Sequence, residues 1–193
     1  MRKLLLLVLL AAAAYWGYAR YYANPASLGA LPFPASIAWR EIGSGPSGND
    51  TVVASDGLKW RVEARTKAGK MWVAVFDGQK FTCTTPLASP EKVDPVKPLR
   101  MLLESLPRCR YVGLETVEGR SCWRFEGGTN GHPVTTWIDR RTKFPTRVSA
   151  ALQDTDPLEE RYQVLPIDVR RESNRLFDTK TAAPVFTSYF STP

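Results

Sequence analysis

The chain has 193 residues and carries 26 Lys and Arg against 19 Asp and Glu, a formal net charge of +7. Beyond its N-terminus there is about one domain's worth of sequence, apolar enough to form a core. No nucleic-acid-binding module accompanies the positive charge, which sets nucleic acid aside as a partner and leaves a solvated basic surface or attraction to anionic lipid head groups.

The N-terminus opens with Arg2 and Lys3 and continues as an apolar run from Leu4 to Ala19. A basic start and a short apolar stretch describe an export signal. Gly17 and Ala19 offer a cleavage site after Ala19, and Ala12 and Ala14 a second one. The aromatic residues Trp16, Tyr18, Tyr21 and Tyr22 fit equally a retained anchor at a membrane interface. Residues 1–19 are therefore expected to be a signal peptide or an inner-membrane anchor, with 4–19 as the apolar helix. The rest of the chain is then exported and periplasmic or otherwise extracytoplasmic. Residues 20–35 contain Pro25, Pro32 and Pro34 and no helical or strand period, so they are expected to be an extended linker.

From Ser36 the pattern becomes that of strands. Ile37 and Trp39 alternate with Ala38 and Arg40, and Thr51 to Ala54 is a short strand before the turn signal Asp56-Gly57. In the next strand Trp60, Val62 and Ala64 occupy one face and Arg61, Glu63 and Arg65 the other, the alternation of a half-buried strand. Met71 to Phe76, Asp77-Gly78 and Gln79 to Thr84 form a hairpin. One helix follows. Asp94 is positioned to cap it, Pro95 suits its first turn, and Leu99, Leu102, Leu103 and Leu106 fall on one stripe that can cover a sheet. Pro107 ends it.

The later strands are Arg110 to Thr116, Ser121 to Glu126, Val134 to Asp139, Thr146 to Leu152, and Glu160 to Val169, the last interrupted at Pro166. The architecture expected is mainly β: a curved antiparallel sheet, an unclosed half-barrel of about nine or ten strands with one covering helix. It occupies residues 36–180, and 181–193 form a C-terminal tail.

Five segments in this order resemble the LolA/LolB/RseB-like superfamily of periplasmic lipoprotein carriers and envelope sensors. They are Leu58 to Glu63; Phe76 to Phe81 with the Thr85-Pro86 exit; Val117 to Trp123; Thr136-Trp137-Ile138-Asp139 with Thr142, Pro145 and Arg147; and Leu176-Phe177-Asp178. The resemblance implies an unclosed barrel with helices plugging a hydrophobic cavity. It departs from the carriers in the strand Thr51 to Ser55, which lacks the arginine that helps latch their helical lid, and in the Pro-rich linker, which replaces their first amphipathic helix.

The aromatic residues Trp39, Trp60, Trp72, Trp123, Phe125 and Trp137 lie on strands. They are either ordinary core or the lining of an acyl-chain cavity, with Leu99, Leu102, Leu103 and Leu106 as its lid. An apolar ligand needs no polar motif, since each buried methylene contributes about 0.8 kcal/mol. The expected partners are a lipid or an acylated protein, an envelope protein, and the membrane surface or anchor.

Of the three cysteines, Cys83 and Cys109 end and begin the strands on either side of the helix. In a simple meander those ends would meet, making Cys83–Cys109 the expected disulfide. The hairpin at Glu118-Gly119 pairs Cys122 with Glu115 and so disfavours Cys109–Cys122. His132, the single histidine, sits in a Gly-rich loop. No ligand spacing for a metal, no phosphate-binding loop and no nucleophile elbow is present, so no cofactor, no metal and no catalytic residue is expected.

Overall fold

In the computed structural model, residues 9–15, 25–26, 31–43, 50–66, 68–84, 93–129, 132–151 and 157–190 are described. Ten strands form one antiparallel sheet: β1 (Ser36–Gly43), β2 (Asp50–Asp56), β3 (Lys59–Arg65), β4 (Met71–Phe76), β5 (Phe81–Cys83), β6 (Arg110–Val117), β7 (Arg120–Thr129), β8 (His132–Asp139), β9 (Pro145–Ala150) and β10 (Leu158–Val164). Their spatial order is β5-β4-β3-β2-β1-β10-β9-β8-β7-β6. The chain starts in the middle, meanders out to one edge, crosses to the far edge through the helix α1 (Val96–Ser105), and meanders back to pair β10 with β1. A short helix, α2 (Ser173–Leu176), follows. The sheet is unclosed and mainly β, as the alternation predicts.

Local chemistry explains the elements. The Asp94 carboxylate accepts the amides of Val96 and Lys97 at 2.9 and 3.3 Å and caps α1. The chain leaves α1 through a 3-10 turn, Leu106–Arg108, with Pro107 inside it. Glu118 and Gly119 both have positive φ, at 51° and 76°, which is the mirror-image turn that matches strand twist. That turn sets Glu115 opposite Cys122. β10 stops at Val164 rather than running to Val169, because Pro166 has no N–H to continue the ladder.

The two edges are protected differently. β5 has only 3 residues. β6 carries a bulge between Tyr111 and Gly113 and is flanked by charged side chains. Both devices discourage further strand pairing.

The inner face, under α1, is a continuous apolar core. Trp39, Val53, Val62 and Ala74 lie in one cross-strand row, and Val96 and Leu99 of α1 pack on it. Phe144 is wholly buried here, 5.2 Å from the Trp39 ring and 6.1 Å from Phe33. Phe33 and Leu31 fall in the Pro-rich stretch read as a linker, yet both pack against this core. Leu103 and Leu106 continue it with Trp123, Phe125 and Ile138.

The outer face is covered too, and this overturns the half-buried reading of β3. Every residue from Trp60 to Ala64 is buried. The chain after β10 folds back over β1–β3, inserting Leu165, Val169, Leu176, Phe177, Phe186 and Phe190 against Ala38, Val52 and Ala54. Arg61 and Glu63, about 1% and 0% exposed, are joined at 2.6 Å. Arg61 also donates to the carbonyls of Leu176 and Ala183. Glu63 accepts the amides of Val185 and Phe186 at 2.7 and 2.9 Å. The pair is thus saturated by the returning backbone, which is the condition under which buried charge is tolerated.

Residues 9–15 are helical, and among the described residues no helix is long and apolar enough to cross a membrane. Most of the expected signal or anchor lies outside the described residues. The disulfide expectation fails: Cys83, Cys109 and Cys122 form no disulfide with one another. The strands that end in Cys83 and begin after Cys109 are opposite edges of the sheet, not neighbours, so the meander assumed for that pairing does not exist.

Replacing Glu63 with Ala removes the counter-charge of a buried guanidinium and leaves two buried amides unpaired. Urea unfolding is expected to show a loss of about 3–5 kcal/mol, whereas Arg175→Ala, on the exposed Arg175–Glu172 pair, costs less than about 1 kcal/mol. A Glu63→Ala loss no larger than that of Arg175→Ala would remove the clasp from the account.

Candidate functional site

The six aromatic residues proposed from the sequence do not form one lining. Trp39 is sealed between Phe33 and Phe144. Trp60 packs on Phe76 and Phe81 at 5.8 and 5.9 Å, near the β5 edge. Trp72 is half-buried against the same cluster. Trp123 and Phe125 share a second cluster on the inner face, under the C-terminal half of α1.

Trp137 stands on the outer face, because Ile138 is the residue that pairs with inward-facing Trp123. There it donates from Nε1 to Glu115 at 2.9 Å and lies under the guanidinium groups of Arg147 and Arg124, at 4.9 and 5.8 Å. These belong to a ladder of ion pairs across β6 to β10, with Arg124 on Glu126 at 2.7 Å and Arg161 on Glu159 at 2.7 Å. The ladder shields the outer face where the returning C-terminal segment does not pack.

Three of the four lid leucines are spent on packing. Leu99, Leu103 and Leu106 are buried in the two inner clusters. Leu102 is half-buried and borders a cleft of about 410 Å³ between α1 and strands β7 and β8. The helix side of this cleft is Leu102, Ser105, Arg108 and Cys109. The sheet side is Phe125, Gly127, Gly128, Val134 and Thr136. From the sequence-based set only Phe125 and Leu102 are brought together here.

Gly127 and Gly128 both line the cleft, and close packing requires the first to be glycine. A Cβ on Gly127 would lie 2.6 Å from the Cys109 Sγ, so the thiol of Cys109 occupies the space a side chain would need. Cys109 also donates to the Ser105 carbonyl at 3.6 Å. Burial pushes its thiol pKa up, with the Ser105 contact opposing. It is therefore a protonated, weakly polar wall at neutral pH rather than a nucleophile. Arg108 is exposed and supplies the one cation among the lining residues. The cleft is thus mostly apolar, with its polar groups at Thr136 and at the C-terminal end of α1.

A second recess, about 500 Å³, lies between the turns of the β2–β3 and β4–β5 hairpins and is lined by Asp56, Leu58, Lys59, Asp77, Gly78 and Gln79. It is shallow, open and about equally polar and apolar. Asp77 is held below the ordinary carboxylate range by the amides of Lys80 and Gln79, which it accepts to shape its own turn. Its charge is committed to the hairpin and not to a ligand.

The lining residues missed by sequence reasoning are Ser105, Arg108, Gly127, Gly128, Val134 and Thr136. The Gly-Gly pair looks like the start of a loop, whereas it continues β7 to Thr129. Its position directly after an alternating strand is the signal for close backbone approach.

No family model and no curated protein matches this sequence. Solved structures similar to the chain include MucB, with a TM-score of 0.48, 18% identity, and coverage of 76% of this chain and 61% of that protein. The Pseudomonas aeruginosa MucA/MucB complex follows, with a TM-score of 0.42, 14% identity, and coverage of 70% and 53%. A LolA superfamily protein from Nitrosomonas europaea has a TM-score of 0.33, 10% identity, and coverage of 80% and 95%. The chain thus spans less than two thirds of the length of MucB.

Gly127→Ala is expected to lower stability by about 1–3 kcal/mol through overpacking, read as a drop in the urea midpoint. Adding Cys109→Ala restores most of it. A double variant no more stable than Gly127→Ala alone would show that some other contact requires the glycine.

Proposed function

We propose that this protein is a non-enzymatic, extracytoplasmic binding protein that holds an apolar chain, such as the acyl chain of a lipid or of an acylated protein, in the cleft between α1 and β7–β8. The observation that carries the reading is the cleft itself. On the inner face the hollow around Trp39 is filled by Phe33 and Phe144, while the space beside Gly127 and Gly128 stays open and is bounded by Leu102, Phe125 and Val134. The basic and apolar N-terminus supports export.

Burying roughly eight methylenes contributes about 6 kcal/mol before the costs of association, short of the ~8 kcal/mol of micromolar binding, so a longer buried chain or a polar contact at its head must supply the rest. Arg108 at the mouth suits a carboxylate or phosphate at the head of the chain. A ligand bound this way leaves Trp39 and Trp60 as core.

Native mass spectrometry of the full chain taken from an envelope fraction is expected to show co-purifying lipid. Val134→Trp fills the cleft from β8 and is expected to reduce that lipid about tenfold or more. Trp137→Leu, on the opposite face, leaves it unchanged. Absence of lipid, or equal lipid in Val134→Trp, would refute the assignment of this cleft.

A further inference from the structure

The two five-stranded halves of the sheet are hydrogen-bonded to each other along β1 and β10, from Trp39↔Val164 to Gly43↔Glu160. On the inner side of this seam stand two carboxyls on adjacent strands. Glu41 faces Tyr162 directly, and Glu160 lies one pleat further along β10. The Tyr162 hydroxyl donates to Glu160 at 2.5 Å. Glu41 has no hydrogen-bond or ion-pair partner among the described residues.

The strands around Glu41 bring it no cation. β2 sets Thr51 opposite it, β10 contributes Tyr162 and Glu160, and β9 places Val148 beside Glu160. The cations of these strands point the other way: Arg40 is paired with Asp50 at 2.6 Å and Arg161 with Glu159 at 2.7 Å on the outer face.

We propose that the β1–β10 seam is a proton-controlled joint: protonated Glu41 keeps it closed, and ionisation of Glu41 beside Glu160 loosens it. Burial first and the Glu160 charge second raise the Glu41 pKa from 4.5 to about 7. A loosened seam exposes the half-buried Glu41 further and moves it away from Glu160, which returns it toward its ordinary value. The open form therefore binds fewer protons, so closure is strongest below about pH 4.5, weakens as pH rises toward 7, and is constant above that. The gap between those two values caps the linked change in open population at about three hundredfold.

The seam is continuous with the cleft. Phe125, Thr136, Val148 and Glu160 pair in sequence across β7, β8, β9 and β10, so movement at Glu160 is passed along the row that floors the binding space. This inference goes beyond the ligand reading and holds or fails without it.

Hydrogen exchange of the full chain, corrected for intrinsic rates, tests it at about pH 5.5 and about pH 8.5. Peptides covering residues 36–43 and 158–164 are expected to lose about tenfold or more protection at the higher pH, and Glu41→Gln to abolish the difference. Glu160→Gln removes the neighbouring charge and is expected to move the half-point to lower pH, which keeps the test open if Glu41→Gln folds poorly. Equal protection at both pH values in the wild type, a wild-type pH difference persisting in Glu41→Gln, or an unmoved half-point in Glu160→Gln would overturn the proposal.

Discussion

An antiparallel sheet that does not close on itself has two faces to hide and two edges to guard, and this chain has few helical residues with which to do it. The inner face receives α1 and the aromatic side chains of Phe33 and Phe144. The outer face receives the chain's own return after β10, and the element that fixes that return is the Arg61–Glu63 pair. Two opposite charges in the middle of a buried strand would be a liability if each met only the other. Here the guanidinium also holds two carbonyls of the returning segment, and the carboxylate holds two of its amides. Packing alone would bury Phe186 and Phe190 in any of several registers; the polar contacts select one.

That division of labour determines where a ligand can go. With the outer face covered by the C-terminal segment on one half and by the ion-pair ladder over Trp137 on the other, the inner-face cleft of about 410 Å³ exceeds the recess of about 240 Å³ beside Ile42 and Arg161 among the described residues. Most of the inner face's depth is already used. Trp39, Phe144, Phe33 and Tyr162 meet edge-on or tilted within 6.4 Å of one another in successive pairs. Space remains where β7 runs through two glycines and the helix presents Leu102 instead of a larger residue. The binding cleft is thus a local consequence of side-chain size on one strand, set inside a fold whose hollow is otherwise filled.

Much of the fold was legible in the sequence because it rests on local rules. The strand propensity of Lys59 to Arg65, the Asp-Gly and Glu-Gly turns, and the Asp94 cap each act within a few residues, and these elements appear as expected. What was not legible depends on contacts between distant segments. Nothing near Arg61 or Glu63 announces that residues 165–190 will cover them, so a polar alternation was read as a solvent face. The expected disulfide assumed that strands consecutive in sequence are neighbours in space, while the helix carries the chain from one edge of the sheet to the other. The orientation of Trp137 depends on the β7–β8 register, in which Thr129 pairs with His132 across Asn130-Gly131, a hairpin signal that was passed over as part of a Gly-rich loop. Phe144, following the polar turn at Asp139, gave no periodic signal at all. Of the candidate site, Phe125 and Leu102 were found through strand and helix periodicity. The remaining residues were missed because a cleft is defined by missing volume, and alternation records only where side chains point.

Chemical-shift mapping of the isotopically labelled chain during titration with a single-chain amphiphile tests the filled-hollow picture most directly. Shifts should concentrate at Leu102, Phe125, Val134 and Thr136, with Val53 and Val62 at the centre of the inner face unmoved. Equal shifts at Val53 and Val62, or shifts gathered around Trp137 on the outer face, would mean that the space available to a ligand is not the glycine-lined gap beneath the helix.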